Sequence, residues 1–247
     1  GVVVNLACPS QVTEGEHYVS ADFWHEVRVE VARRFGPDVR VLPQCAAAGD
    51  QSPHLLFNKA AEERMYRLRG LTERQELARR IANAVEDVCP AVEGDSRADL
   101  PLRHVVRTLG LPARAITRQE RDTAATKLEE YEQQEVDPED VTRHSYRFSM
   151  LRRYRGVLER FRAQGGNPTC VIDVHVVRLG DVAFATNPFE LFLDYGVQMK
   201  ARSRAEQTFV VQLAGPGSYL PTARSVAGQG YGAEPVDNRV GPEGGRV

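Results

Sequence analysis

Val39-Arg40-Val41-Leu42-Pro43, followed after Gln44-Cys45 by Ala46-Ala47-Ala48-Gly49-Asp50-Gln51-Ser52-Pro53-His54, is an apolar run that ends in small residues and then in a polar cluster. A short apolar run bounded by turn residues is a buried-strand signal, and polar side chains just past its C-terminal end stand where α/β proteins keep their sites. Residues 2–7 form a second such run, suited to a strand buried on both faces. Between the two, the spacing of Phe23, Val27 and Val31 predicts a helix over 21–35, with Ser20 as its cap and Gly36-Pro37 as its stop. Strand, helix, strand predicts an α/β fold with a mixed, largely parallel sheet flanked by helices, and puts the Gly49-Asp50 loop at a sheet edge. Two readings of that loop stay open: a catalytic loop built on Ser52, or turn punctuation in which Asp50 and Ser52 satisfy nearby backbone donors.

The chain has 247 residues, 42% hydrophobic and 27% charged, enough for a sizeable core. A net charge of -2 supplies no basic field for a phosphate backbone, so nucleic acid is not an expected partner. The pairs Arg33-Arg34, Arg79-Arg80 and Arg152-Arg153 sit among acidic residues at helical spacing and read as solvated faces. Four scattered cysteines, with no C-x-x-C, signal neither a thiolate zinc cage nor a dense disulfide framework. The strand-like start and the abrupt Gly-rich end read as those of an excised piece, so the expectation is a single α/β domain over 1–247 that is a fragment of a larger catalytic domain.

Further along, residues 71–88 read as an amphipathic helix stopped by Cys89-Pro90, and residues 98–111 as one or two strands. Thr117-Arg118-Gln119-Glu120 has the form of a capping box, and residues 117–166 read as a charged helical hairpin inserted in the fold. Residues 170–186, turning at Gly180-Asp181, form a β-hairpin pattern, and residues 208–214 another strand. In Asn187-Pro188-Phe189-Glu190, Asn187 suits a helix cap and Glu190 could close a capping box. The alternative is a carboxylate held at a strand's end to bind a metal or a reacting group. Gly230-Tyr231-Gly232 lets the backbone approach a ligand closely, although Gly-rich coil is also plain connection. If the strands are parallel neighbours, Ser52, Glu190 and Tyr231 converge.

Gly49-Asp50-Gln51-Ser52-Pro53, Asn187-Pro188-Phe189-Glu190, and Tyr219-Leu220-Pro221-Thr222 followed by Tyr231, in this order and at these separations, resemble segments of the neutral/alkaline non-lysosomal ceramidase family. The resemblance covers about the first 55 residues and roughly 170–235. It implies zinc-dependent hydrolysis of the amide bond of an N-acyl sphingosine or related N-acyl amide. Ser52 would be the nucleophile, Asp50 would order the loop, and Glu190 and Tyr231 would be metal ligands. Two further zinc-binding histidines of the family lie upstream of the matched part and are expected outside this chain; His17 and His25 do not stand in their context. His54 replaces the family's Asn and is a local base, a replacement ligand or a surface hydrogen-bonder. The resemblance also suggests a secreted or periplasmic protein acting on a lipid, with contact to a membrane surface left open. The rival is a non-catalytic lipid- or sugar-binding or structural relative. A metal-free serine esterase is disfavoured because no Gly-x-Ser-x-Gly elbow is present.

Overall fold

The computed structural model describes residues 1–166 and 168–246. In chain order the elements are β1 (Val2–Leu6), α1 (Phe23–Phe35), β2 (Val41–Cys45), α2 (Lys59–Arg69), α3 (Glu73–Glu93), β3 (Leu102–Pro112), α4 (Arg118–Gln133) and α5 (Val141–Ala163). There follow β4 (Thr169–Leu179), β5 (Val182–Thr186), β6 (Glu190–Leu191), α6 (Leu193–Arg202), β7 (Gln207–Val211), β8 (Tyr219–Leu220) and α7 (Ala223–Ala227). The fold is α/β with mixed pairing. β1 and β2 are parallel, β3, β4, β5 and β7 form a sheet whose β5–β7 pair is parallel, and β6 pairs with β8 in parallel.

The β1–α1–β2 unit forms as its pattern predicts, with Leu6 opposite Cys45 at the exit. Phe23, Trp24, Val27 and Val31 of α1 close over Val41 and against Ala78 and Ala82 of α3. Two details differ. The cap of α1 is the buried Asp22, not Ser20: one Asp22 oxygen accepts from the Phe23 N–H at 2.7 Å and the other from the backbone and hydroxyl of Thr13, which tethers the loop after β1 to the helix start. Helices cover only one face of the pair, so Val3 and Leu42 remain exposed and the two-sided burial expected of residues 2–7 is not realised.

α3 runs through Pro90 to Glu93, because a proline near a C-terminus forfeits little of the backbone ladder. Arg79-Arg80 is open to solvent in part, but its guanidinium groups are engaged. With Arg69 these residues surround Glu76, whose side chain is 1% exposed, and they hold its carboxyl well below the usual range, at about 2. The first cause is the Arg79 hydrogen bond, opposed by burial and aided by Arg80. A carboxylate with a depressed folded-state pKa contributes its full stabilisation above its ordinary value and loses it as pH falls toward the folded one. Glu76→Gln is therefore expected to cost about 2 kcal/mol at pH 7, with the deficit fading between about pH 4.5 and 2. Urea midpoints of both proteins across that range check it; a deficit constant with pH contradicts the assignment.

β3 is one strand, antiparallel to β4 from Leu102↔Leu179 to Pro112↔Thr169. β4 and β5 form the expected hairpin about Gly180, whose φ of 59° is the left-handed turn conformation. α4 and α5 lie against each other, the Thr117/Glu120 capping box is made, and Ile116, Ala124 and Val157 form a small core beneath them. The second helix opens at Val141, with Asp140 as its cap. Among the described residues no helix is long and apolar enough to cross a membrane.

Candidate functional site

Residues leaving β2, entering β6 and leaving β7 meet at the strand exits, and close backbone contact is what joins them. Ala46, Ala47 and Ala48 are 2–3% exposed, and Ala47 sits against Gly196 of α6, where a side chain would collide with it. The Gly49 N–H donates to the Leu191 carbonyl at 2.8 Å, and a Cβ on Gly49 would overlap the Glu190 carbonyl group. Between the two segments lies the side chain of Gln212, 5% exposed. Its Oε1 accepts from the N–H groups of Ala48 (3.1 Å) and Leu191 (2.9 Å), and its Nε2 donates to the Cys45 sulfur at 3.2 Å.

Residues 187–190 do not begin a helix. The buried Asn187 pairs its backbone N–H with Val211 and turns its Oδ1 to the Phe189 N–H, so the chain bends at Pro188 and Phe189 and passes into β6. α6 starts only at Leu193, after Phe192. Glu190 therefore closes no capping box. It stands half-buried in β6, its N–H on the Ser218 carbonyl and its Cα opposite Tyr219. Burial raises the Cys45 thiol, against a hydrogen bond from Gln212, and the charge of nearby Glu190 adds to the rise.

Tyr219 links the two residues expected as metal ligands. Its hydroxyl donates to that of Tyr231 at 3.5 Å, and their rings stand edge to face. Burial pushes the Tyr219 phenol far up, with hydrogen bonds to Tyr231 and Glu190 adding to the shift. Gly232, with φ 71°, lies flat on the Tyr219 ring and lets the chain turn so that Tyr231 extends outward, 81% exposed. Glu190, Tyr219 and Tyr231 line one cavity of about 590 Å³, together with Tyr146 and Tyr154 of α5.

The serine loop does not line this cavity and is joined to its wall through the Gly49–Leu191 bond. Asp50 accepts the Leu193 N–H at 2.8 Å and so caps α6, which has no cap in its own sequence. Ser52 is exposed, and its Oγ accepts the His54 N–H at 3.1 Å. The His54 ring meets Glu14 at 3.0 Å on the surface. His17 and His25 are exposed, in the loop after β1 and on α1, and none of the six histidines of the chain lines the cavity. The carboxylate of Glu190 and the phenol of Tyr231 are hard oxygen donors lining one space, of the kind zinc accepts, and among the described residues no group of three or more His, Cys, Asp or Glu side chains is placed to hold a metal ion. Sequence patterns did not point to Gln212 or to the Tyr219 contact. The one available signal was a lone amide in the apolar run of residues 208–214, since an amide buried in a strand has to find partners.

No family model matches this sequence, and no curated protein matches it. Solved structures match it in three dimensions over 98% of its length. One is a ceramidase complexed with C2, with a TM-score of 0.55 and 11% identity; another is the neutral ceramidase from Pseudomonas aeruginosa, with a TM-score of 0.55 and 15% identity. The fold is thus ceramidase-like. The chain spans 43% and 41% of the length of those two proteins.

Proposed function

We propose that this chain is part of the catalytic domain of a zinc-dependent amide hydrolase acting on an N-acyl sphingosine or a related N-acyl amide. The observation that carries the reading is the Gly49–Leu191 backbone bond, which ties the Ser52 loop to the strand bearing Glu190, beside a cavity that Tyr231 also lines. Ser52 Oγ attacks the acyl carbonyl carbon and the C–N bond breaks. The amine leaves with a proton, and water then releases the acid from the serine ester. The His54 N–H on Ser52 Oγ fixes the rotamer, and Asp50, by capping α6, fixes the loop. Glu190 and Tyr231 would hold the zinc together with two histidines supplied from outside these residues; when bound, the metal would lower the hydroxyl's pKa and polarise the carbonyl.

The second reading, a non-catalytic lipid- or sugar-binding or structural relative, is favoured by the local work that Asp50 and Ser52 already perform as cap and turn acceptor. Hydrolysis of N-acyl amides by the full-length parent, with zinc and with chelator, separates the two. Ser52→Ala and Glu190→Ala are expected to lower kcat by about a thousandfold or more while circular dichroism is unchanged. The 247-residue chain alone, with two of the ligands, is expected to hold zinc weakly. Unchanged turnover in both variants removes the proposed roles, and stoichiometric zinc that survives dialysis of the isolated chain removes the proposed ligand count.

A further inference from the structure

Arg152-Arg153 is only in part a solvated face: Arg152 is exposed, and Arg153 is paired with Asp237. Both arginines line a second cavity, of about 820 Å³, beside the first and sharing Gly217 and Ser218 with it. Arg160 of α5 and Arg239 line it as well, so four arginines and two acidic residues, Glu159 and Asp237, line one space. Asp237 is engaged by Arg153 in an ion pair. Arg160 donates to the carbonyls of Gly156, Pro235 and Asn238, which accept hydrogen bonds but carry no charge. Among the described residues neither Arg152 nor Arg239 enters an ion pair. Burial lowers the pKa of Arg160, and the like charges of Arg239 and Arg114 lower it further. Arg114 is matched by Glu120; the rest of the cluster keeps an excess of two positive charges.

We infer that this cavity binds a phosphate-bearing ligand, held by Arg152, Arg160 and Arg239. A dianion balances the excess charge, and guanidinium forks match the oxygens of a tetrahedral oxyanion. The shared chemistry is a phosphate monoester, either on a soluble compound or as a lipid headgroup. The inference does not depend on the hydrolase reading, because binding alone tests it.

The 247-residue chain is titrated with inorganic phosphate by calorimetry at ionic strength held constant with sodium chloride. It is also sedimented with phosphatidylcholine vesicles with and without phosphatidic acid. Arg152 and Arg239 are exposed, so Arg152→Gln/Arg239→Gln keeps the fold, as checked by circular dichroism, whereas Arg160 cross-links backbone segments and is left intact. Saturable binding that weakens by about tenfold or more in the double variant, but not in Arg33→Gln on α1, is the expected result. Binding of phosphate without vesicles identifies a soluble ligand, and binding only of vesicles containing phosphatidic acid identifies a headgroup. Absence of both, equal affinity in the double variant, or an equal loss in Arg33→Gln overturns the site.

Discussion

Gly49→Ala is expected to destabilise the protein by about 3 kcal/mol and to separate the serine loop from the strand that carries Glu190. The Cβ has no room. It would overlap the carbonyl carbon and oxygen of Glu190 and crowd the carbonyl carbon of Leu191, all of them backbone atoms of a segment pinned on its other side by Ser218. A flexible side chain could swing away, but a strand's backbone moves only by giving up its bonds. Relief of the clash therefore stretches the bond from the Gly49 N–H to the Leu191 carbonyl, and with it the Asp50 cap on α6. Because φ at Gly49 is not positive, the cost is one of space and not of backbone conformation. Chemical denaturation measures the loss, and amide exchange at Gly49 and Leu193 locates it. A variant with wild-type stability and unchanged protection at Leu193 would show that the loop and β6 are not coupled through this contact.

The parts of the fold legible in the sequence are those fixed by neighbours along the chain. The spacing of Phe23, Val27 and Val31 and the two flanking apolar runs were enough for the β1–α1–β2 unit, and Thr117 with Glu120 was enough for the start of α4. Local signals fail where a distant partner competes for the same groups. Asn187-Pro188 has the chemistry of a helix start, yet the Asn187 backbone is taken by Val211 and Ala214, so the helix begins later and Glu190 is released into a strand. Asp50 caps a helix that begins 143 residues further on, which no spacing rule can reveal. Arginine pairs read as solvated because their exposed stems obey helical periodicity; what their head groups meet, Glu76 in one case and a cavity in another, is decided by tertiary packing.

The candidate site shows the same division. The Gly49 and Glu190 segments meet through the Gly49–Leu191 bond, and Glu190 shares a cavity with Tyr231, whereas the Ser52 loop lines none of that cavity. The manner of the approach was not legible. Two glycines allow it, Gly49 against Glu190 and Gly217 against the Pro188 carbonyl, and each can be recognised only once the opposite backbone is in view. Small residues at a crossing of backbones and a buried amide among them are the physical cost of bringing three loops within hydrogen-bonding distance.

That amide is the most exacting part of the arrangement, and Gln212→Leu is expected to cost about 4 kcal/mol. Leucine fills a similar volume, so the loss comes mainly from two buried N–H groups, Ala48 and Leu191, each left without its acceptor at roughly 2 kcal/mol. Gln212→Glu tests whether acceptance is the decisive property. Its protonated carboxyl keeps a carbonyl oxygen for both N–H groups and an O–H for the Cys45 sulfur, whereas the ionised form places a buried charge one residue from Glu190. Burial and that neighbour raise the folded-state pKa of the new carboxyl above its unfolded value of about 4.3, opposed by the Ala48 and Leu191 N–H groups, which favour the ionised form. A carboxyl shifted in this direction binds its proton more tightly when folded, so the variant matches wild type below about pH 4 and falls behind as pH rises past that value. The measurement is the difference in unfolding free energy between Gln212→Glu and wild type at each pH, which cancels the acid sensitivity the two share through Glu76. A difference that does not change with pH would mean that the side chain at 212 is not buried against Ala48 and Leu191.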